Sequence, residues 1–207
     1  MNIIDRYGSN SLRGVVAVLL GAACILGGPD LATNAQPLQA EQSITRTASR
    51  GGLSSEDLLR QGVDQAQKGD YETAINRYTQ ALRVDPKLVS AYNGRGLARF
   101  DLGDERGAIE DYTQALRIDP ELVRAYVNRG LARSALGDRQ GALKDLNTAL
   151  RIDPRNANAY DSRGDIRAQM GNKQAAIQDY RKAANIYSRR GDIARYEQQL
   201  DNIGRVE

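Results

Sequence analysis

The sequence predicts an all-α fold of four stacked helix pairs closed by one C-terminal helix, and three observations predict it. The dipeptides Asp85-Pro86, Asp119-Pro120 and Asp153-Pro154 recur at a fixed interval of 34 residues, a period that belongs to stacked supersecondary units. The blocks around them match almost residue for residue, as in Tyr78-Thr79-Gln80-Ala81-Leu82-Arg83-Val84 against Tyr112-Thr113-Gln114-Ala115-Leu116-Arg117-Ile118. Between them fall Gly69-Asp70, Gly103-Asp104, Gly137-Asp138 and Gly171-Asn172. In each, the glycine can end a helix in the left-handed conformation and the next residue can cap the following one.

Taken in order, the chain opens with Arg6 and Arg13 ahead of an apolar run from Gly14 to Gly28. A helix that spans a bilayer takes about 20 apolar residues, whereas the core of a signal peptide takes about 7 to 15. Residues 1–35 are therefore expected to be a signal peptide cut after Ala35, where Thr33 and Ala35 supply small residues two apart, or an uncleaved membrane anchor. Lipidation is a third fate, because Gly21-Ala22-Ala23-Cys24 is similar to a lipobox with Gly21 in the place of leucine. Each fate puts the remainder outside the cytoplasm or tethered at its membrane, in the periplasm or a comparable lumen. Residues 36–54 are rich in Gln, Ser, Thr and Arg, lack periodicity and read as a flexible linker.

The repeats occupy 55–88, 89–122, 123–156 and 157–190. At the end of each second helix, Asp-Pro is expected to cap and start the next helix, since the fixed φ of proline suits a first helical turn. Small residues such as Gly96 and Ala108 let paired helices approach, while Tyr92 and Leu116 fill the space between units. Within 191–207, Ile193, Tyr196, Leu200 and Ile203 recur at helical spacing and predict a final helix that covers the last open face.

The unit resembles the tetratricopeptide repeat, a helix pair marked by an aromatic, a Gly, an Ala, an aromatic, an Ala and a Pro. These marks are Tyr92, Gly96, Ala108, Tyr112, Ala115 and Pro120 in the second unit, and Tyr126, Gly130, Ala142, Leu146, Ala149 and Pro154 in the third. The first unit has Leu58 for its first aromatic, and the fourth has Ser188 in place of the proline. The resemblance implies a right-handed superhelical solenoid that binds proteins rather than performing chemistry. The runs Asn128-Arg129-Gly130-Leu131-Ala132-Arg133 and Leu102-Gly103-Asp104 are similar to cyanobacterial members, which implies service in assembling a membrane complex, with the thylakoid lumen as an alternative compartment.

In that family the first helix of each unit lines a concave groove. Carried over, the groove is expected to present Asn93, Leu97, Phe100 and Asp101, then Arg124, Val127, Asn128 and Leu131, then Asn158, Asp161 and Ser162, with Ser90, Gly94, Ser134, Asp165 and Gln169 beside them. Leu97, Phe100, Val127 and Leu131 form a strip suited to an apolar peptide or helix; alternatively Leu97 and Leu131 finish the core of their own units. Family members that clamp a chaperone's C-terminal carboxylate use Lys and Asn where this chain has Leu59, Val63, Gly94, Arg124 and Asn128, so that ligand is not expected.

Arg95 and Arg99, Arg129 and Arg133, and Arg163 and Arg167 recur on successive first helices, while Asp111, Asp145 and Asp179 recur on the second helices. The reading favoured here is structural ion pairing; the other is a ladder that binds nucleic acid or an anionic surface. The 29 basic and 26 acidic residues are mixed along the chain, which speaks against a polyanion site. Arg163-Gly164-Asp165 spells an adhesion tripeptide, but Gly164 is a core repeat position and cannot present the loop such recognition needs. Histidine is absent and Cys24 is the only cysteine, which removes the commonest general base, zinc ligands and thiol nucleophile. The expectation is a non-enzymatic scaffold with no metal and no cofactor, a protein or peptide partner, no nucleic acid, and membrane association, if any, through the N-terminus.

Overall fold

A computed structural model describes residues 52–207. The signal or anchor segment 1–35, Cys24 and all but the last residues of the linker 36–54 lie outside the described residues. From Ser55 to Glu207 the chain forms one compact unit. Among the described residues there are nine helices and no strand. In order they are α1 Ser55–Gln67, α2 Tyr71–Val84, α3 Val89–Asp101, α4 Glu105–Ile118, α5 Val123–Ala135, α6 Arg139–Ile152, α7 Ala157–Gln169, α8 Lys173–Arg189 and α9 Ile193–Val206.

Odd-numbered helices up to α7 are the first helices of the pairs, and each packs most extensively on the even-numbered helix that follows. The reversal inside each pair is local chemistry. Gly69, Gly103, Gly137 and Gly171 sit at φ of 77–83°, a left-handed conformation that a side chain disfavours. Asp70, Asp104 and Asp138 then accept from the amides of Thr73, Gly107 and Gly141 at 2.8–3.1 Å, satisfying a donor that the helix start leaves open. Asn172 makes no such side-chain bond, so the fourth reversal keeps the glycine and the backbone bonds of the turn without the side-chain cap.

The Asp-Pro dipeptides behave differently from the expectation. Asp85, Asp119 and Asp153 end their helices and accept from the amides of Lys87, Glu121 and Arg155, two residues on. They close a turn rather than cap the next helix, which begins three residues after the proline behind Leu88, Leu122 or Asn156. Where the dipeptide is missing the stop is missing too: α8 runs 17 residues, against 14 in α4 and α6.

Packing inside a pair depends on glycine facing an aromatic ring. A Cβ added at Gly62, Gly96 or Gly164 would lie 2.6–2.8 Å from the ring of Tyr78, Tyr112 or Tyr180, closer than carbon atoms tolerate. In the third unit Leu146 replaces the tyrosine and Gly130 has more room, at 3.2 Å. Between pairs, Tyr92 packs with Leu116, Ala115 and Ala125, and Tyr126 and Tyr160 pack around Leu146, Leu150 and Ala159.

The final helix buries a different face from the one predicted. Ile193 and Leu200 are exposed, at 57% and 46%, whereas Gln199 is 1% exposed. Tyr196 packs against Tyr187, Ala183 and Ala157, and the Arg195 guanidinium lies 5.6 Å from the Tyr187 ring centroid. The apolar spacing locates the helix correctly, but packing turns its apolar stripe partly outward. No described helix is long and apolar enough to cross a membrane.

Candidate partner-binding groove

Successive first helices touch one another along the stack, α1 with α3, α3 with α5 and α5 with α7, while no comparable contact joins successive second helices. The closer spacing on one side curves the stack toward the first helices, and this makes their outer faces the concave surface.

The arginines point the other way, into the pairs. Arg95 holds Asp111 through Nε and Nη2, with the Nη2 bond at 2.6 Å, and Arg99 Nη1 binds the same carboxylate at 2.9 Å. The arrangement repeats as Arg129 and Arg133 on Asp145, at 2.8 Å each, and Arg163 and Arg167 on Asp179, at 2.7 Å each. These carboxylates are buried, with side chains 1–3% exposed. Each charge is thus met by one guanidinium in fork geometry and by the Nη1 of a second, which is how a buried ion remains tolerable.

The remaining Nη1 of Arg95, Arg129 and Arg163 donates to Thr79, Thr113 and Asn147 on the preceding unit, at 2.6–3.1 Å. The same three guanidiniums lie 5.5–5.6 Å from the ring centroids of Tyr92, Tyr126 and Tyr160. One arginine therefore ties its own pair together and fastens the pair to its neighbour. Sequence reasoning misses the acceptors Thr79, Thr113 and Asn147, although their 34-residue recurrence beside the arginine interval is a signal that could find them.

Of the residues expected in the groove, Val127 and Ser162 do not belong to its lining. Val127 is 4% exposed and packs with Leu146, Leu150 and Ile166, and Ser162 is 3% exposed. Val127 is covered by Ala159 and Ile166 of the next pair, a crowding that helical spacing alone does not reveal. Phe100 is half-buried against Ala108, Tyr112 and Ala132, and Leu131 packs on the Leu146 cluster, so these two serve the core as well as the surface.

Leu97, Asn128 and Asn93 are half-buried and Arg124 is exposed. Asn93 Oδ1 is buried without a hydrogen-bond partner. At the clamp positions, Leu59 and Val63 pack on the first core cluster, and a Cβ at Gly94 would meet the Tyr78 ring at 2.8 Å.

Polar groups of the groove are tied to phenols. Asp101 interacts with Tyr71, and burial raises its carboxyl pKa although the Tyr71 hydrogen bond pulls it down. Tyr187 donates to Asn158 Oδ1 at 2.6 Å, and Tyr180 donates to Asp165 Oδ1 at 2.9 Å. Burial raises the pKa of Tyr180, and the carboxylates of Asp165, Asp161 and Asp179 raise it further. Tyr187 is pushed up to about 12, mainly by burial and then by Asp161. Among the described residues no group of His, Cys, Asp and Glu is placed to hold a metal ion.

Comparison with known proteins gives one consistent result. Models of the TPR repeat match residues 65–103 and 96–137, and models of the tetratricopeptide repeat match 123–156 and 157–190. No curated protein matches the chain. Among solved structures, the first TPR of Spaghetti (RPAP3) bound to the HSP90 peptide SRMEEVD is 28% identical, with a TM-score of 0.56, over 56% of this chain and 93% of that one. The second TPR domain of human RPAP3, in complex with the HSP70 peptide SGPTIEEVD, is 30% identical, with a TM-score of 0.52, over 55% and 92%. A thermophilic TPR protein of Thermus thermophilus is 22% identical, with a TM-score of 0.59, over 72% and 90%, and that likeness shows the fold alone.

Proposed function

We propose an interaction scaffold, from a premise that is plain: the chain belongs to the tetratricopeptide repeat family, whose repeats match it from residue 65 to residue 190. It holds a peptide or a single helix of a protein partner on the concave face of α1, α3, α5 and α7, and it does so without catalysis of its own. The observation that carries this reading is the division of labour on each of the first helices α3, α5 and α7. Its arginines are turned inward to buried carboxylates, and its opposite face leaves Leu97, Asn93 and Asn128 at the concave surface without full burial. Such a preformed surface binds with little ordering cost.

Two neighbours in structure hold peptides, which supports a peptide as occupant. Their peptides end in an acidic tail, and the positions that would clamp such a tail hold Leu59, Val63, Gly94, Arg124 and Asn128 here, of which only Arg124 supplies a comparable charge, so a different ligand is proposed for this chain. The inward commitment of the arginine ladder favours the scaffold over a binder of nucleic acid. Export or tethering by residues 1–35, and service to a membrane complex, belong to the same proposal and rest on the apolar run at Gly14 to Gly28.

The test is capture of partners by in-cell cross-linking to the tagged full chain, compared with a Leu97→Glu/Asn128→Glu variant and a Lys144→Glu control on the exposed surface of α6. The expected result is a partner retained by the control and lost by the groove variant. A partner list indifferent to the groove variant contradicts the proposal.

A further inference from the structure

First helices begin and second helices end at the same edge of the stack, so the turns that join one pair to the next, at 85–88, 119–122 and 153–156, follow one another along it. The chain enters the solenoid at Ser55 on that edge too. Arginine recurs there in the last turn of α2, α4 and α6, as Arg83, Arg117 and Arg151, where the carbonyl end of a helix favours a cation.

The last two units add cations that the repeat does not require. Lys182 and Arg190 stand where the third unit has Thr148 and Asn156, and Arg155 and Arg189 stand where the second has Glu121. These four and Arg151 are exposed, and none of the five is held in an ion pair among the described residues. Two contacts bring them to one place. Arg190 Nη2 donates to the carbonyl of Arg155 at 3.0 Å, and Lys182 Nζ lies 5.2 Å from the ring centroid of Tyr160, in the first turn of α7.

Opposing charge nearby is already engaged. Asp145 and Asp179 are buried under their arginine pairs, so α6 and α8 show no carboxylate at their surface. Asp153 accepts from the Arg155 amide and from Asn156, Asp192 caps α9 and pairs with Arg195 at 3.4 Å, and Asp161 is half-buried and engaged within the solenoid. Exposed cations spread over helix ends and a turn, with no pocket between them, give no fixed geometry for a single anion. Their counterpart is a broad array of anionic groups, and lipid headgroups supply one, each Lys or Arg that reaches them adding to the attraction. The position of the cluster favours a membrane over other polyanions. The apolar run at Gly14 to Gly28 precedes the entry at Ser55, so an anchor in residues 1–35 would hold the solenoid to a bilayer from the edge that carries the cations.

We propose that this edge of the third and fourth units lies against the anionic headgroups of a membrane, through Arg151, Arg155, Lys182, Arg189 and Arg190. The choice of a membrane rests on the anchoring proposed above for residues 1–35.

The experiment uses the purified full chain and vesicles of phosphatidylcholine, alone or mixed with phosphatidylglycerol. Arg155→Gln/Lys182→Gln/Arg189→Gln is compared with Arg106→Gln/Arg139→Gln/Lys173→Gln, an equal loss of charge among exposed residues at the opposite edge, and matching thermal melts establish that both are folded. Flotation measures affinity. Energy transfer to a headgroup dye measures orientation, from a donor on Ser188→Cys at the edge or on Gln140→Cys at the start of α6, each in a Cys24→Ser background. The expected result on mixed vesicles at low salt is an affinity about tenfold lower in the edge variant and unchanged in the control, with transfer stronger from the donor at 188 than from that at 140. Equal transfer from both donors, the same loss in both variants, or equal affinity for the two kinds of vesicle overturns the proposal. An RNA oligonucleotide that binds through the same three side chains, with no effect of lipid composition, overturns it in favour of nucleic acid. Failure to float with phosphatidylcholine alone contradicts the anchor and not the edge, whose preference for mixed vesicles is read separately.

Discussion

Asp111, Asp145 and Asp179 are each buried against two arginines, and at residue scale this triad ties the two helices of its pair together. Removing one partner of a buried ion pair leaves the other charge desolvated, which costs about 3 to 5 kcal/mol. Asp145→Ala is therefore predicted to destabilise the chain by about 3 kcal/mol in urea unfolding. Replacing Asp145, Arg129 and Arg133 together by leucine removes the uncompensated charge and should recover much of that loss; a triple variant as unstable as the single one contradicts this account. Tyrosine gives a second prediction. Tyr78 and Tyr187 are raised from 10.0 to about 12, so the folded chain holds their protons after the unfolded chain has lost them. The contribution of these tyrosines should be fully present below pH 10 and be lost between pH 10 and 12, with Tyr187→Phe showing a shallower fall over that window. The pairing of arginine with aspartate is legible in the sequence, because both recur at the repeat interval. The burial of Val127 is not, because it depends on how closely the next pair approaches.

At the scale of elements, the terminal units differ from the inner ones for reasons the chain spells out. The first unit has Gln61, Gln65 and Arg77 where the later units have arginine, arginine and aspartate, so α1 and α2 lack the buried triad. In a stack of nearest neighbours such a unit opens first. Amide hydrogen exchange is predicted to be fastest in α1 and α2 and slowest in α5 and α6; equal protection across the four units contradicts this. Helix boundaries are readable because glycine, aspartate and proline act within a turn of their own position. The role of Asp-Pro is not, because a capping oxygen at a helix start and one inside a closed turn look alike in sequence. The exposed stripe of α9 is hidden for a related reason: helical spacing gives the direction of an apolar face, and Gln199 sits on the side that packing selects.

At the scale of the molecule, four pairs and a final helix make a curved surface whose inner side carries the candidate function. The solenoid follows from the interval alone, whereas the groove needs the structure to divide core residues from lining ones, as Phe100 and Leu131 illustrate. The central claim is that the concave face, and not the outer one, receives the partner. The most direct measurement places a photo-cross-linking amino acid at Asn128 in the groove and, separately, at Lys144 on α6, in the full chain within its source cells. The account predicts a discrete adduct of one protein from Asn128 and none of it from Lys144. The same adduct from Lys144, with nothing from Asn128, would put the working surface on the opposite side of the stack.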